Sequence, residues 1–163
     1  MMVLYTSDPD ASKAAASLSV NVGSFVDPPE FQGLAHFLEH AIHLGSTKYP
    51  GANEYQVFIQ SNQGYMNAET CKERTTYHFT ISPNAFAEAL DRFSQLFISP
   101  LFDKGRVQKE LHAVDSESKG NLQNLVEQEN SVIRSLLDPA HPASKYSCGN
   151  LETLDSLNQP IDE

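Results

Sequence analysis

The sequence predicts an α+β protein, an antiparallel or mixed sheet with helices packed on it, from two kinds of periodicity. Apolar residues alternate at Leu18, Val20 and Val22 and again at Tyr77, Phe79 and Ile81, the period of two that marks half-buried strands. Phe86, Leu90, Phe93 and Phe97, spaced four, three and four apart, form the apolar stripe of a helix that lies on a core. Strand and helix patterns follow one another in the order strand-strand-helix-helix-strand-strand-helix-helix, which suits a sheet covered by helices.

Taken in order, residues 3–6 predict a short strand before the turn-rich Ser7-Asp8-Pro9-Asp10, and 18–22 a second strand. Asp27-Pro28-Pro29 predicts a loop, because proline restricts both itself and the residue before it. Residues 33–44 predict a helix stopped by Gly45, and 53–61 a shorter one. Strands at 65–69 and 75–81 flank the charged turn Cys71-Lys72-Glu73-Arg74. Ser82-Pro83 then offers an N-cap and first-turn proline to the phenylalanine-rich helix. After Pro100 a long helical stretch runs over 103–137, open to interruption at Gly120, and Asp138-Pro139 ends it. Residues 151–163 are polar and predict no terminal element. The expectation is a single domain over 1–163, partial at both ends.

The composition narrows the function. Eleven Lys and Arg against twenty-one Asp and Glu give a net charge of −10, and no basic patch interrupts it, so no nucleic-acid partner is expected. No apolar run reaches the ~18 residues of a membrane span, and the first thirty residues lack a signal-peptide pattern. Cys71 and Cys148 are too few for a disulfide framework, and their redox state is left open.

The segment that carries chemistry is His36-Phe37-Leu38-Glu39-His40. On a helix, residues at i, i+3 and i+4 share a face, so His36, Glu39 and His40 project together. Two imidazoles four apart can hold one Zn²⁺, and a glutamate beside the second can reach its water, the inverted form of the His-Glu-x-x-His motif. Phe37 and Leu38, with Leu34 and Leu44, are expected to anchor this helix in the core. A third ligand is needed. Glu110 and Glu117, seven apart on the long helix, fall on one face, and spacing does not choose between them.

Residues 33–40, Gly-Leu-Ala-His-Phe-Leu-Glu-His, followed by Leu44-Gly45-Ser46-Thr47-Lys48-Tyr49-Pro50, resemble the pitrilysin and insulin-degrading enzyme (insulinase) family of zinc metallopeptidases. Asn67-Ala68, residues 89–93, Pro100-Leu101-Phe102, residues 113–117, His141-Pro142, Ser144-Lys145-Tyr146 and Gly149-Asn150-Leu151 fit the same family in the same order. The resemblance implies an N-terminal catalytic domain, incomplete here, of a zinc metalloendopeptidase with one Zn²⁺ per chain. It implies metal ligation by His36, His40 and Glu117, the last separated from His40 by positions 41–116. It implies a general base at Glu39 and a supporting Glu110 that does not touch the metal. Asn67 and Ala68 resemble the edge-strand residues that pair with an extended peptide.

The partners implied are peptide substrates, together with C-terminal homologous domains or a partner chain that would complete the substrate chamber. The isolated chain is expected to cleave weakly or not at all. The alternative is a non-catalytic zinc-binding or peptide-binding module acting as a subunit of a larger assembly. His43 and Glu69 depart from the family. His43 is expected as a core or hydrogen-bonded histidine, and Glu69 either favours basic peptides or ends a strand in solvent. His78, His112 and His141 are expected at surface or loop positions. The sequence leaves the compartment open, with cytoplasmic placed ahead of periplasmic.

Overall fold

The structure, a computed structural model, describes residues 1–154. Three strands, β1 (Ala14–Val20), β2 (Tyr65–Thr70) and β3 (Thr75–Ile81), form one antiparallel sheet in the order β1-β3-β2. Tyr77 of β3 pairs with Leu18 on one side and Ala68 on the other. The inward face of β3 is the predicted one: Tyr77, Phe79 and Ile81 are all buried.

Among the described residues six helices accompany the sheet: α1 (Leu34–Ala41), α2 (Glu54–Ser61), α3 (Phe86–Ile98), α4 (Lys104–Asn121), α5 (Leu125–Leu136) and the four-residue α6 (Leu151–Leu154). The α+β class is as predicted, with an antiparallel sheet. Among the described residues, no helix is long and apolar enough to cross a membrane.

Several elements differ from expectation. Residues 3–6 form no strand and are exposed: they pair with neither edge of the β1-β3-β2 ladder, and a four-residue apolar run gains nothing as a strand without a partner. The first strand instead begins at Ala14, where alanine's poor strand propensity concealed it. The predicted helix over 33–44 tightens to a 3₁₀ turn at Ile42–Leu44 before Gly45, whose φ of 120° only glycine adopts without strain. Leu38 is 44% exposed and does not anchor α1.

Ser82 does not cap α3. Its hydroxyl donates to the Asn62 carbonyl at 2.9 Å, and a 3₁₀ turn at Pro83–Ala85 leads into the helix. Leu90 is 40% exposed while Ala89 and Leu96 are buried, so the stripe on α3 is turned from the one the phenylalanines suggest. The long run over 103–137 is two helices. It breaks just past Gly120, and Asn124 accepts from the Val126 amide at 2.9 Å to start α5.

A terminal element is present where none was expected. The amide of Leu151 donates to Asp115 Oδ1 at 3.1 Å, and α6 places Leu154 in the core. The remainder of that segment, 155–163, lies outside the described residues.

Two apolar clusters follow from these elements. One joins the sheet to α2 and α3 through Ile59, Tyr77, Phe79, Ile81, Ala89, Phe93 and Leu96. The other is smaller and decides the position of α1: Phe37 packs on Leu111 and Val114 of α4 and on Leu154 of α6.

The start of α1 is held from a distance. Asp27 is 4% exposed, and its carboxylate accepts from the amides of Gly33 and Ala35, each at 2.9 Å. Those amides are among the four donors that a helix N-terminus leaves without partners. The returning loop closes over the same point. Lys145 donates to the carbonyls of Phe25 and Asp27, and the Tyr146 amide donates to Gln32 Oε1 at 2.7 Å. Gly33, at φ 89°, fits so tightly that a Cβ there would lie 2.2 Å from Gly149 Cα.

Replacing Asp27 by alanine removes both acceptors from a buried helix start. Asp27→Ala is expected to destabilise the chain by about 1–2 kcal/mol in denaturant unfolding, the ordinary cost of a lost N-cap. An unfolding midpoint equal to that of the wild-type chain would show that α1 is held by packing alone.

Candidate metal centre

α1 presents His36, Glu39 and His40 on one face because they sit at i, i+3 and i+4, while Ala35, Phe37 and Ala41 turn inward. α4 buries Leu111, Val114, Asp115 and Ser118, which leaves Glu110 and Glu117 on its flank towards α1. The Phe37 contact brings the two flanks together.

Three donor atoms converge. His36 Nε2 and His40 Nε2 are 3.3 Å apart, and Glu117 Oε2 lies 3.8 Å from the first and 3.6 Å from the second. A tetrahedral zinc with arms of ~2.0–2.1 Å separates its donors by ~3.3–3.4 Å, so these atoms already stand near ligand spacing. Two neutral imidazoles and one carboxylate also suit a divalent cation and leave a coordination position open.

Each imidazole is oriented through its other nitrogen. His36 Nδ1 donates to the Cys148 carbonyl at 2.7 Å, and His40 Nδ1 donates to Glu110 Oε1 at 2.8 Å. A carbonyl or carboxylate oxygen only accepts, so Nδ1 carries a proton on each ring, and in the neutral form of each ring the Nε2 lone pair is the one turned towards Glu117. The structure thus separates the two glutamates that spacing left open: Glu117 faces the donor cluster, and Glu110 holds His40 from behind.

The hydrogen bond to Glu110 holds His40 above the usual imidazole range, against its burial, and the same bond holds Glu110 below the usual carboxylate range.

Glu39 sits beside His40, and its Oε2 accepts from the Thr70 hydroxyl at the end of β2. Its backbone carbonyl accepts from His43 Nδ1 at 2.9 Å. His43 is therefore the hydrogen-bonded, core-type histidine, its ring 5.8 Å from Tyr77 and 6.4 Å from Tyr55, and burial pushes it below the usual imidazole range. Burial also pushes the Tyr77 hydroxyl up to about 12.

Beside Glu39 and His40 opens a cavity of about 390 Å³, whose lining includes Met66, Asn67 and Ala68 of β2. β2 is an edge strand, so Asn67 and Ala68 stand where a further strand could pair. Glu69 is exposed on the same strand, His112 is exposed on α4, and His78 faces Tyr65 across the outer side of the sheet. His141 has a partner that sequence did not suggest: its Nδ1 accepts from the Ala143 amide at 3.1 Å.

Sequence reasoning missed Thr70, Asp27 and the Cys148 carbonyl. A carbonyl has no residue signature, Thr70 acts across the fold, and Asp27 caps α1 from six residues before Gly33, outside the usual N-cap position. Both cysteines are free.

The insulinase (peptidase family M16) description matches residues 2–140. The A-factor-processing enzyme of Saccharomyces cerevisiae is 45% identical over 157 residues, covering 96% of this chain and 15% of that protein. Human insulin-degrading enzyme is 43% identical over 154 residues, 94% of this chain and 15% of its own length. The Arabidopsis thaliana protein named insulin-degrading enzyme-like 1, peroxisomal, is 46% identical, covering 94% of this chain and 16% of the relative.

Among solved structures, crystalline pitrilysin superposes with a TM-score of 0.88 at 38% identity, over 95% of this chain and 17% of pitrilysin. The chain thus spans about 15–17% of the length of the proteins it matches. On the fold and on the match over residues 2–140, the chain belongs to the insulinase family of metallopeptidases, peptidase family M16.

Proposed function

We propose that the chain is the metal-bearing domain, over 1–163, of a zinc metalloendopeptidase that cleaves extended or unfolded peptides. The observation that carries this is the convergence of His36 Nε2, His40 Nε2 and Glu117 Oε2 within 3.3–3.8 Å of one another, beside Glu39 on the same helix. These three residues would hold one zinc per chain. When bound, zinc supplies Lewis acidity, bringing a water pKa towards ~7 and polarising a peptide carbonyl.

The chain's own residues do the rest. Glu39 takes a proton from the attacking water on one carboxylate oxygen while the Thr70 hydroxyl holds the other, so the base approaches in one orientation. Glu110 keeps the His40 proton on Nδ1 and the lone pair on Nε2. Asn67 and Ala68 on the edge of β2 offer main-chain hydrogen bonds to an extended peptide, which selects flexible segments before any side chain is read. Substrate walls supplied by the rest of a longer polypeptide, or by a partner chain, would complete the site. The isolated chain would then bind metal and cleave peptides weakly or not at all.

The first test is zinc content of the purified, folded chain, with cleavage of a quenched fluorescent peptide assayed in parallel. About one zinc per chain is expected, lost in Glu117→Ala and retained in Glu39→Gln. A folded chain, by circular dichroism, that takes up no zinc would overturn the proposal. In the complete polypeptide, Glu39→Gln is expected to lower peptide cleavage by ~10²–10⁴-fold without loss of metal.

Glu110→Gln is expected to weaken zinc affinity by ~10–100-fold at neutral pH while leaving the stoichiometry unchanged. Equal affinities would remove Glu110 from the site.

Protons compete with metal for His40. Because Glu110 raises its proton affinity, zinc is expected to be released as pH falls through that raised value. In the metal-free chain the sign reverses. Raised His40 stabilises the fold below the ordinary imidazole pKa and loses that effect as pH rises through the folded value, while lowered Glu110 contributes only above the ordinary carboxylate pKa. Between pH 6 and 8, stability should therefore rise with pH for the zinc-loaded chain and fall for the metal-free chain at this pair. Denaturant melts with zinc and with chelator check it.

A further inference from the structure

We propose that Cys148 is a fourth donor to the metal centre, giving it a closed resting form in which a thiolate occupies the position otherwise taken by water. The inference rests on metal binding at His36, His40 and Glu117. The Cys148 sulfur, a ring nitrogen of His36 and a carboxylate oxygen of Glu117 all lie within 4.8 Å of one another. Tetrahedral zinc with one Zn–S arm of ~2.3 Å places sulfur ~3.6 Å from its fellow donors, so relative to His36 and Glu117 the thiol has to close by at most about 1 Å, within a side-chain adjustment. A turn of the same side chain has to bring it to His40, which lies outside that group.

The position of the thiol follows from the fold around it. The carbonyl of Cys148 receives the His36 Nδ1 hydrogen bond, so the residue that orients one imidazole also carries the sulfur. Gly149, at φ 77°, packs against Gly33, and the Tyr146 amide is bonded to Gln32, which fixes the loop on both sides of the thiol. Asn121, one turn beyond Glu117 on α4, donates its side-chain amide to the sulfur at 3.6 Å. The donors thus come from three segments: two from α1, one from α4 and one from the loop before α6.

Three protein ligands leave a zinc open, and four close it. A thiolate also favours zinc and cadmium over harder ions such as manganese. On closure Cys148 loses its proton to solvent, a metal–sulfur bond forms and one water leaves. Opening is the reverse, with water returning and the thiol reprotonated. Peptide hydrolysis would then require the sulfur to give up its place, so the centre is protected until something competes for it.

Cobalt separates this inference from the site beneath it. The purified chain, Cys148→Ser and Cys71→Ser are each loaded with Co²⁺, and metal content is measured alongside the near-ultraviolet thiolate-to-cobalt charge-transfer band. About one cobalt per chain is expected in all three, with the band present in the wild-type chain and Cys71→Ser and lost in Cys148→Ser. In the unmutated chain, Zn²⁺ should also slow iodoacetamide alkylation of Cys148 at least tenfold, read by peptide mass, and leave Cys71 unchanged. Cobalt bound without the band, or a band that survives Cys148→Ser, overturns the fourth donor and leaves the three-donor centre standing. A folded chain that binds no cobalt overturns both.

Discussion

Everything at the candidate site depends on the contact between Phe37 and the Leu111–Val114 face of α4, sealed by Leu154. Donors from two helices meet at one point only if those helices keep a fixed offset. Metal–ligand distances tolerate shifts of ~0.2 Å, whereas exposed side chains wander much further. The apolar cluster supplies that precision cheaply. Phe37 lies between His36 and the pair Glu39 and His40 in sequence, so burying it turns all three polar neighbours towards α4 and the sheet edge.

That arrangement brings like charges together, and the fold manages them in pairs. Glu39, Glu110 and Glu117 surround two imidazoles in a chain that already carries −10. Glu110 is matched to His40, and its carboxylate and the imidazole draw each other's proton affinities in opposite directions. Glu39 is held by the Thr70 hydroxyl at the end of β2. Only Glu117 is left facing the two Nε2 lone pairs, at distances longer than a hydrogen bond. With both rings neutral, an anion and two lone pairs converge there, an arrangement that a cation would relieve, which is the physical case for metal at this point.

The sequence shows these features unevenly, and the reason lies in which of them are local. The face shared by His36, Glu39 and His40 is legible because helix geometry alone dictates it. The choice between Glu110 and Glu117 is not, because both lie on one face of α4 and differ only by ~10 Å along its axis. Which of them lies nearer the two Nε2 atoms depends on how α1 crosses α4, a tertiary quantity, and the crossing puts Glu117 Oε2 3.8 and 3.6 Å from them. The period-two pattern found β3 at once, since Tyr77, Phe79 and Ile81 are large and alternate. It placed the first strand late, because Ala14 and Ala16 alternate as regularly as valines but carry little hydrophobic signal. Leu90 misled for the opposite reason: it falls in step with phenylalanines, yet the small Ala89 is what lets α3 approach the sheet.

Thr70 ties the two halves of the site together. It ends β2, the edge strand that carries Asn67 and Ala68, and its hydroxyl reaches the Glu39 carboxylate on α1. On the proposed function, a peptide added to this edge has its register set by the β2 backbone. The distance from Ala68 to Thr70 is two residues, ~7 Å along the strand. Any slip of one residue would move every peptide carbonyl by ~3.3 Å relative to Glu39, more than a hydrogen bond's tolerance. The bond between Thr70 and Glu39 therefore couples peptide register to the position of the base. On that reading β2 and α1 act as one device, although they are separated in sequence and packed into different apolar clusters.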